Sequence, residues 1–251
     1  VRGVKYVAIS RVENGISTEI FREEIGGDNK NFDYTPKVQL TEETSQLKVV
    51  VSDGREGKEV VGIVRTYVNM EVVQLKVGSQ VLANAEPFAL ISLKDMKTYS
   101  VDEAISSVES ARNVDIKFFI NSKDGVLSFR FYSMENVESK NPLYKGSGGK
   151  TLSNLPAKNM TKYVLFPTDF DYDTASRSSI QNEYLKGNAD QKVYMTIDNF
   201  VGSVIGFKTG GASSAGGERY GVMKVLDVSG KMDNNTMKQI ATVEIKFPKK
   251  K

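Results

Sequence analysis

The chain has 251 residues, of which 39% are hydrophobic and 26% charged, and its formal net charge is +3. This is the composition of an ordinary folded protein, and so small a net charge gives no general basic surface for nucleic acid. Cysteine and histidine are both absent, which excludes disulfides, thiol nucleophiles, zinc hydrolases and Ser-His-Asp catalysis. Carboxylate pairs, Lys, Tyr and Ser-Lys arrangements remain available for catalysis.

Short strand-forming runs separated by turn residues fill the first part of the chain. Strands are predicted at 4–10 and 16–21, across the turn Glu13-Asn14-Gly15, and at 47–51 and 59–68 across a longer loop. A further short run at 34–40 carries Pro36, which indicates an edge strand. Strand, turn and strand at this spacing predict a small all-β sandwich over residues 1–69. The Asp53-Gly54 turn followed by a final strand that leaves the domain resembles immunoglobulin-like modules of bacterial surface proteins, and this resemblance implies an immunoglobulin-like β-sandwich.

The remaining residues, 70–251, predict an α+β domain with a mostly antiparallel sheet and two short helices, so that the whole chain is mainly β. The first helix begins at Ser100, with Glu103 completing a capping box. It leads into a strand at 114–120, which we expect at the centre of the sheet with the helix packed on it. The second helix is predicted at 174–186, ending at Gly187. Further strands are predicted at 71–77, 88–93, 127–133, 163–166, 193–197, 201–209, 220–228 and 239–247.

Two long connections, 136–159 and 210–217, are the first place to look for a binding site, because long loops in compact domains are usually functional or mobile. Four tyrosines flank or lie in this region and are the candidate ligand-binding residues: Tyr132, Tyr144, Tyr163 and Tyr172. Their rings can stack on a sugar at the surface. The alternative is that they fill cores, as aromatic residues in strands usually do.

Asp169, Asp171 and Asp173 alternate along one segment, a spacing that suits the oxygen ligands of Ca²⁺. Thr174 and Ile180, however, stand where an EF-hand-like loop needs Gly and Glu. The prediction is therefore no metal and no cofactor, with Asp173 capping the following helix. No spacing singles out a pair of catalytic carboxylates, so no catalytic residue is predicted and we do not expect an enzyme.

Several stretches resemble secreted lipoproteins of the Bacteroidetes. These are K-T-Y-S-V-D-E-A at 97–104, V-D-I-K-F-F-I at 114–120, V-G-S-V-I-G-F-K-T at 201–209 and R-Y-G-V-M-K-V-L-D-V-S-G at 219–230. An immunoglobulin-like module before such a domain is a further similarity, and the resemblance covers roughly 1–248. It implies an extracytoplasmic protein of a Gram-negative bacterium, at the outer-membrane surface or in the periplasm. It carries over no functional residues.

These observations together predict a non-enzymatic extracytoplasmic binding or structural protein. The chain begins at Val1 rather than Met, so we expect that a targeting segment has been removed. The resemblance to lipoproteins implies that this segment carried a lipidated cysteine and that this lipid is the only membrane attachment. The expected partner is a glycan or a protein at the cell surface, with no nucleic acid, and the chain is expected to be a monomer. The alternatives are a carbohydrate-binding component of a glycan-uptake system and a carboxylate-dependent hydrolase.

Overall fold

The computed structural model describes residues 3–26, 35–55, 59–65, 69–124, 126–230, 232–233 and 236–249. It is mainly β, with 45% strand and 18% helix, and has three antiparallel sheets and few helices. This confirms the predicted fold class at that level. In the described part of the chain, none of the helices has the length and apolar character that crossing a bilayer requires.

Strands outnumber helices along the described part of the chain. The strands are β1 (Tyr6–Glu13), β2 (Ile16–Glu24), β3 (Thr44–Ser52), β4 (Glu59–Arg65), β5 (Met70–Gly78), β6 (Leu90–Ser92), β7 (Lys97–Tyr99), β8 (Ile116–Lys123), β9 (Val126–Ser133), β10 (Thr161–Leu165), β11 (Lys192–Thr196), β12 (Val204–Thr209), β13 (Tyr220–Ser229), β14 (Met232–Asp233), β15 (Thr236–Met237) and β16 (Ile240–Pro248). The α-helices are α1 (Val101–Ile105), α2 (Val108–Asn113), α3 (Arg177–Lys186) and α4 (Ile197–Phe200).

The chain folds as two compact units. The first contains residues 1–70 and 171–179, and the second contains 71–170 and 180–251. The first unit therefore includes a segment that returns to it late in the chain. The predicted boundary between residues 69 and 70 stays a prediction.

The described residues of the first unit's N-terminal part form one antiparallel sheet in the order β2-β1-β3-β4. The β1–β2 hairpin turns at Asn14-Gly15, whose φ angles of +50° and +79° suit the Asn-Gly turns of hairpins. A sandwich needs a second sheet packed on the first, so the immunoglobulin-like sandwich is not confirmed. The predicted strand at 34–40 is wrong where it is described, because residues 35–40 have no strand pairing and β3 begins at Thr44.

The second unit contains two five-stranded sheets, in the orders β10-β12-β13-β16-β5 and β11-β9-β8-β6-β7. One hydrophobic core draws residues from both sheets, among them Phe118 and Phe129 from one and Phe207 and Ile245 from the other. The two sheets therefore pack face to face. Burying both inner faces supplies the main driving force for folding of this unit.

Strand β8 lies in the middle of its sheet, as predicted, and is buried on both faces. Ile116 and Phe118 point into the core between the sheets, and Phe119 points the other way into a second core with Val101 and Ala104 of α1. The period of two along a strand explains why each face has its own apolar set. The predicted packing of the helix on this strand is therefore confirmed.

The two predicted helices differ from those in the structure: the first divides into two helices, and the second begins later than predicted. The helix that starts at Ser100 keeps its capping box but divides at Ser106-Ser107, because Ser107 is extended (φ −158°) and caps α2 through the N–H of Ser110. Helix α3 begins at Arg177 rather than Thr174. Ser176 and Ser179 exchange hydrogen bonds at its start, so Asp173 is not its cap.

Candidate functional site

An open groove with a volume of about 560 Å³ lies on the second unit, where the β8–β9 hairpin meets the end of β11 and the start of α4. Small-molecule sites usually have volumes of roughly 300–1,000 Å³, so the groove has the size of a ligand site. It is lined by Asn121, Lys123, Asp124, Val126, Ser128, Arg130, Met195, Thr196 and Asn199.

At one end of the groove lies the tight turn that connects β8 and β9. Lys123 pairs with Val126, which leaves a two-residue connection with the sequence Asp124-Gly125. Asp124 has a φ of +53°, the left-handed conformation that Asp-Gly hairpin turns adopt. The turn fixes the register of β8 against β9 and thereby places Lys123 and Val126 at the edge of the groove.

The floor of the groove is a row of polar residues across three neighbouring strands. Ser128 of β9 pairs with Asn121 of β8 on one side and with Thr196 of β11 on the other. The flanking residues Leu127 and Phe129 belong to the core between the sheets, so the alternation along β9 turns Ser128 outward. A rigid sheet therefore presents this row, which is how precise sites are usually held.

Several of the side chains that line the groove make no polar contact with other described residues of the protein. Within the described ranges, the side chains of Asn121, Lys123, Asp124 and Ser128 have no hydrogen-bond or ion-pair partner. The Thr196 hydroxyl donates to Oδ1 of Asn199 at 3.1 Å, which orients that amide at the groove. The groove thus offers amide, ammonium, carboxylate and hydroxyl groups together.

A second groove, with a volume of about 440 Å³, adjoins the first and shares Met195 and Asn199 with it. Its other lining residues are mostly apolar: Leu165, Phe166, Pro167, Thr168, Val201, Gly202, Ser203 and Val204. Leu165 is 52% exposed and Val201 is 46% exposed, so apolar surface is accessible there. The two adjoining grooves therefore present a polar surface and an apolar surface next to each other.

The four candidate tyrosines do not form the exposed shelf that the sequence suggested. Tyr132, Tyr144, Tyr163 and Tyr172 are buried, with exposed fractions of 1%, 0%, 1% and 3%. A sugar stacks only on an accessible ring face, so this prediction is corrected and the interpretation of the tyrosines as core residues holds. The Tyr144 hydroxyl donates to the carbonyl of Phe118 at 2.9 Å, and burial raises the pKa of Tyr163 well above its ordinary value.

The aspartate-rich segment serves local structure. The backbone N–H of Thr174 donates to Oδ1 of Asp171 at 3.1 Å, and its hydroxyl donates to Oδ2 at 2.5 Å. The carbonyl of Asp173 accepts a hydrogen bond from Gln46. Among the residues that the structure describes, no group of three or more acidic side chains is placed to hold a metal ion.

A buried carboxyl group at Asp115, just before β8, was missed by the sequence interpretation. It accepts hydrogen bonds from the Ser213 hydroxyl at 2.6 Å, from the Leu93 N–H at 3.1 Å and from Nδ2 of Asn159 at 3.1 Å. Burial raises the pKa of Asp115 to about 7, against the lowering effect of these donors. Asp115 therefore holds the loops that contain Asn159 and Ser213, the two connections expected to bind ligand, onto the core.

Lys117, two residues later, is also fully buried. Its ammonium group donates to the carbonyl of Asn136 at 2.7 Å and to Oδ1 of Asn141 at 2.6 Å. Burial, with a smaller contribution from the charge of the nearby Lys158, lowers the pKa of Lys117 to about 7. The available signal was an Asp and a Lys alternating inside an otherwise apolar strand, a pattern that requires buried partners.

Comparisons of the chain with protein-family models, with curated proteins and with solved structures find no match. The resemblance to Bacteroidetes lipoproteins therefore stays a prediction. The candidate site rests on the geometry of the groove.

Proposed function

We propose that this chain is a non-enzymatic binding protein whose ligand occupies the groove between the β8–β9 hairpin and α4. The observation that carries the proposal is the set of polar side chains without protein partners, Asn121, Lys123, Asp124 and Ser128, on ordered strands around a ligand-sized groove within the described part of the chain. Water satisfies such groups in the free protein, and a ligand that reproduces those hydrogen bonds replaces it at little enthalpic loss.

A saccharide is the ligand class that matches this lining best. Sugar hydroxyls both donate and accept hydrogen bonds, and the amides of Asn121 and Asn199 do the same. Val126 is 57% exposed, and Met195 joins the polar groove to the apolar one, so C–H faces of a sugar ring would find apolar surface. This supports the carbohydrate-binding alternative, with a site different from the predicted tyrosines.

The hydrolase alternative needs two carboxylates about 5–10 Å apart on either side of the scissile bond. Asp124 is the one carboxylate among the described residues that line the groove. This composition favours binding over hydrolysis at this site.

The extracytoplasmic location and the lipid anchor remain part of the proposal, supported by the resemblance in sequence alone. The same holds for an immunoglobulin-like module at 1–69, for which the four-stranded antiparallel sheet would supply one of two sheets.

The test is a glycan array with the full chain, followed by titration calorimetry of any saccharide that binds. Asn199→Ala and Lys123→Ala should each weaken binding by roughly 2–10-fold, the loss expected for one or two hydrogen bonds. Lys76→Ala is the matched control, because Lys76 is exposed on β5 and does not line the groove. A blank array, or saccharide binding that neither groove variant changes, would contradict the proposal.

A further inference from the structure

The two edges of the first unit's sheet differ in how they meet solvent. Strand β2, at one edge, carries Glu19, Arg22, Glu23 and Glu24 and pairs with β1 through an irregular register. Charges and bulges of this kind protect an edge against pairing with another chain. Strand β4, at the other edge, has the sequence E-V-V-G-I-V-R, with an uncharged centre of five residues.

The central residues of β4 are apolar and exposed on both faces of the sheet. The exposed fractions are 73% for Val60, 46% for Val61, 54% for Ile63 and 51% for Val64. In the described part of the chain, β4 pairs with β3 and forms the end of the sheet. An exposed, apolar edge strand presents unpaired N–H and C=O groups to a further strand.

The sequence of β4 is complementary to itself when it is reversed about Gly62. Antiparallel pairing of two copies places Val60 opposite Val64, Val61 opposite Ile63, and the acidic Glu59 opposite the basic Arg65. Pairs of β-branched residues and of opposite charges are favourable across antiparallel strands. Parallel pairing in register would instead place Glu59 beside Glu59 and Arg65 beside Arg65.

We infer that β4 is a self-association edge, at which a second copy of this chain pairs antiparallel about a two-fold axis through Gly62. The pairing is isologous, so it closes as a dimer rather than growing into a fibre. It joins the two four-stranded sheets into one continuous eight-stranded sheet and satisfies the outer backbone groups of both β4 strands. Strand β4 belongs to the first unit, whereas the proposed ligand groove belongs to the second. The dimer replaces the monomer expected from the sequence.

The first experiment is sedimentation equilibrium of the full chain from about 1 μM to about 100 μM, a range that resolves dimers of ordinary affinity. We expect a monomer–dimer equilibrium. Ile63→Lys, which places a charge on each copy near the axis, should raise the dimer dissociation constant by about tenfold or more. Ile16→Lys is the matched control, because Ile16 is 70% exposed on the opposite edge strand, and it should leave the dimer unchanged.

Exchanging the charges of Glu59 and Arg65 tests the pairing register of the two β4 strands by a gain of dimerisation, which a folding defect would not produce. Glu59→Arg and Arg65→Glu should each weaken the dimer, because each places like charges opposite one another at both ends. The double variant carrying both substitutions should dimerise again, and so should an equimolar mixture of the two single variants. A chain that stays monomeric over the whole range, a dimer insensitive to Ile63→Lys, or a double variant as weak as the single ones would overturn the inference.

Discussion

The carboxyl group of Asp115 gives the stability of this protein a defined pH dependence. Its pKa is about 7 in the folded chain, mainly because of burial, and about 3.9 in an unfolded chain. The folded state therefore binds this proton more tightly, so the stabilisation is complete below about pH 4 and is lost as the pH rises through about 7. Lys117 affects the folding stability over a different pH range. Because its pKa is lowered in the folded chain, stability is lost as the pH falls from about 10.5 to about 7.

Asp115→Asn should flatten the pH profile of the unfolding free energy between about pH 4 and pH 7. The substitution removes the ionisation while keeping a side chain of the same shape. Denaturant unfolding monitored by circular dichroism at several pH values measures the profile. Asp124→Asn, at an exposed turn, should keep the wild-type profile. A wild-type slope in Asp115→Asn would show that another group binds the proton.

Two substitutions at Tyr144 separate the contribution of its hydrogen bond to the unfolding free energy from the contribution of its buried ring. Tyr144→Phe removes only the donor to the carbonyl of Phe118 and should reduce the unfolding free energy by about 0.5–1.5 kcal/mol. Tyr144→Ala also empties a fully buried site and should cost about 3–5 kcal/mol. Denaturant unfolding of the two variants measures both numbers. Equal losses would contradict the assignment of Tyr144 to the core.

At the scale of single elements, helix α1 depends on its first residue. Ser100 accepts a hydrogen bond from the N–H of Glu103 at 3.1 Å, and Glu103 accepts one from the N–H of Ser100 at 2.9 Å. Ser100→Ala should reduce the unfolding free energy by about 1 kcal/mol, the usual value of a cap. Ser153→Ala, at an exposed serine, serves as the control and should change it by less than about 0.5 kcal/mol. An equal effect of both substitutions would mean that the cap does not stabilise the fold.

The elements show which features a sequence alone can predict. The capping box at Ser100 and the turn at Asn14-Gly15 depend on neighbouring residues, so both were predictable. The division of the helix at Ser106-Ser107 was not, because a second serine cap competes with continuation of the helix and packing decides between them. For Tyr144 the sequence left open both a surface ring and a core ring, because the residue lies outside the strands, in a long connection whose packing depends on partners distant in sequence such as Phe118.

The groove was missed for a related reason. Asn121, Ser128 and Thr196 lie side by side only because β8, β9 and β11 pair in one register. Residues 121 and 128 belong to a hairpin that its turn residues predict. Nothing in the local sequence pattern predicts that residue 196 lies beside them. Sites assembled across strand pairings distant in sequence require the register of the whole sheet, which hydrophobic period and turn residues leave open.

At the scale of the whole molecule, the chain passes twice through its first unit. Residues 171–179 return to it, and there the hydroxyl of Ser176 donates to Oδ1 of Asn14 at 2.6 Å while that of Ser178 donates to the carboxylate of Glu43. These partners are separated by more than a hundred residues along the chain. Such non-local contacts form late and slow the folding of a chain that depends on them.

Ser178→Ala tests this return segment at Glu43. Burial raises the pKa of Glu43, but the hydrogen bonds from Ser178 and Ser176 and the charge of Arg177 outweigh it and lower the pKa below its ordinary value. Glu43 therefore contributes stability that is present at neutral pH and is lost as the pH falls through its folded pKa. Without the Ser178 donor the burial remains, so the pKa of Glu43 should rise, as measured by carboxyl NMR titration. Ser17→Ala, on the exposed strand β2, should leave that pKa unchanged, and an unchanged pKa in Ser178→Ala would show that the return segment does not reach Glu43 in solution.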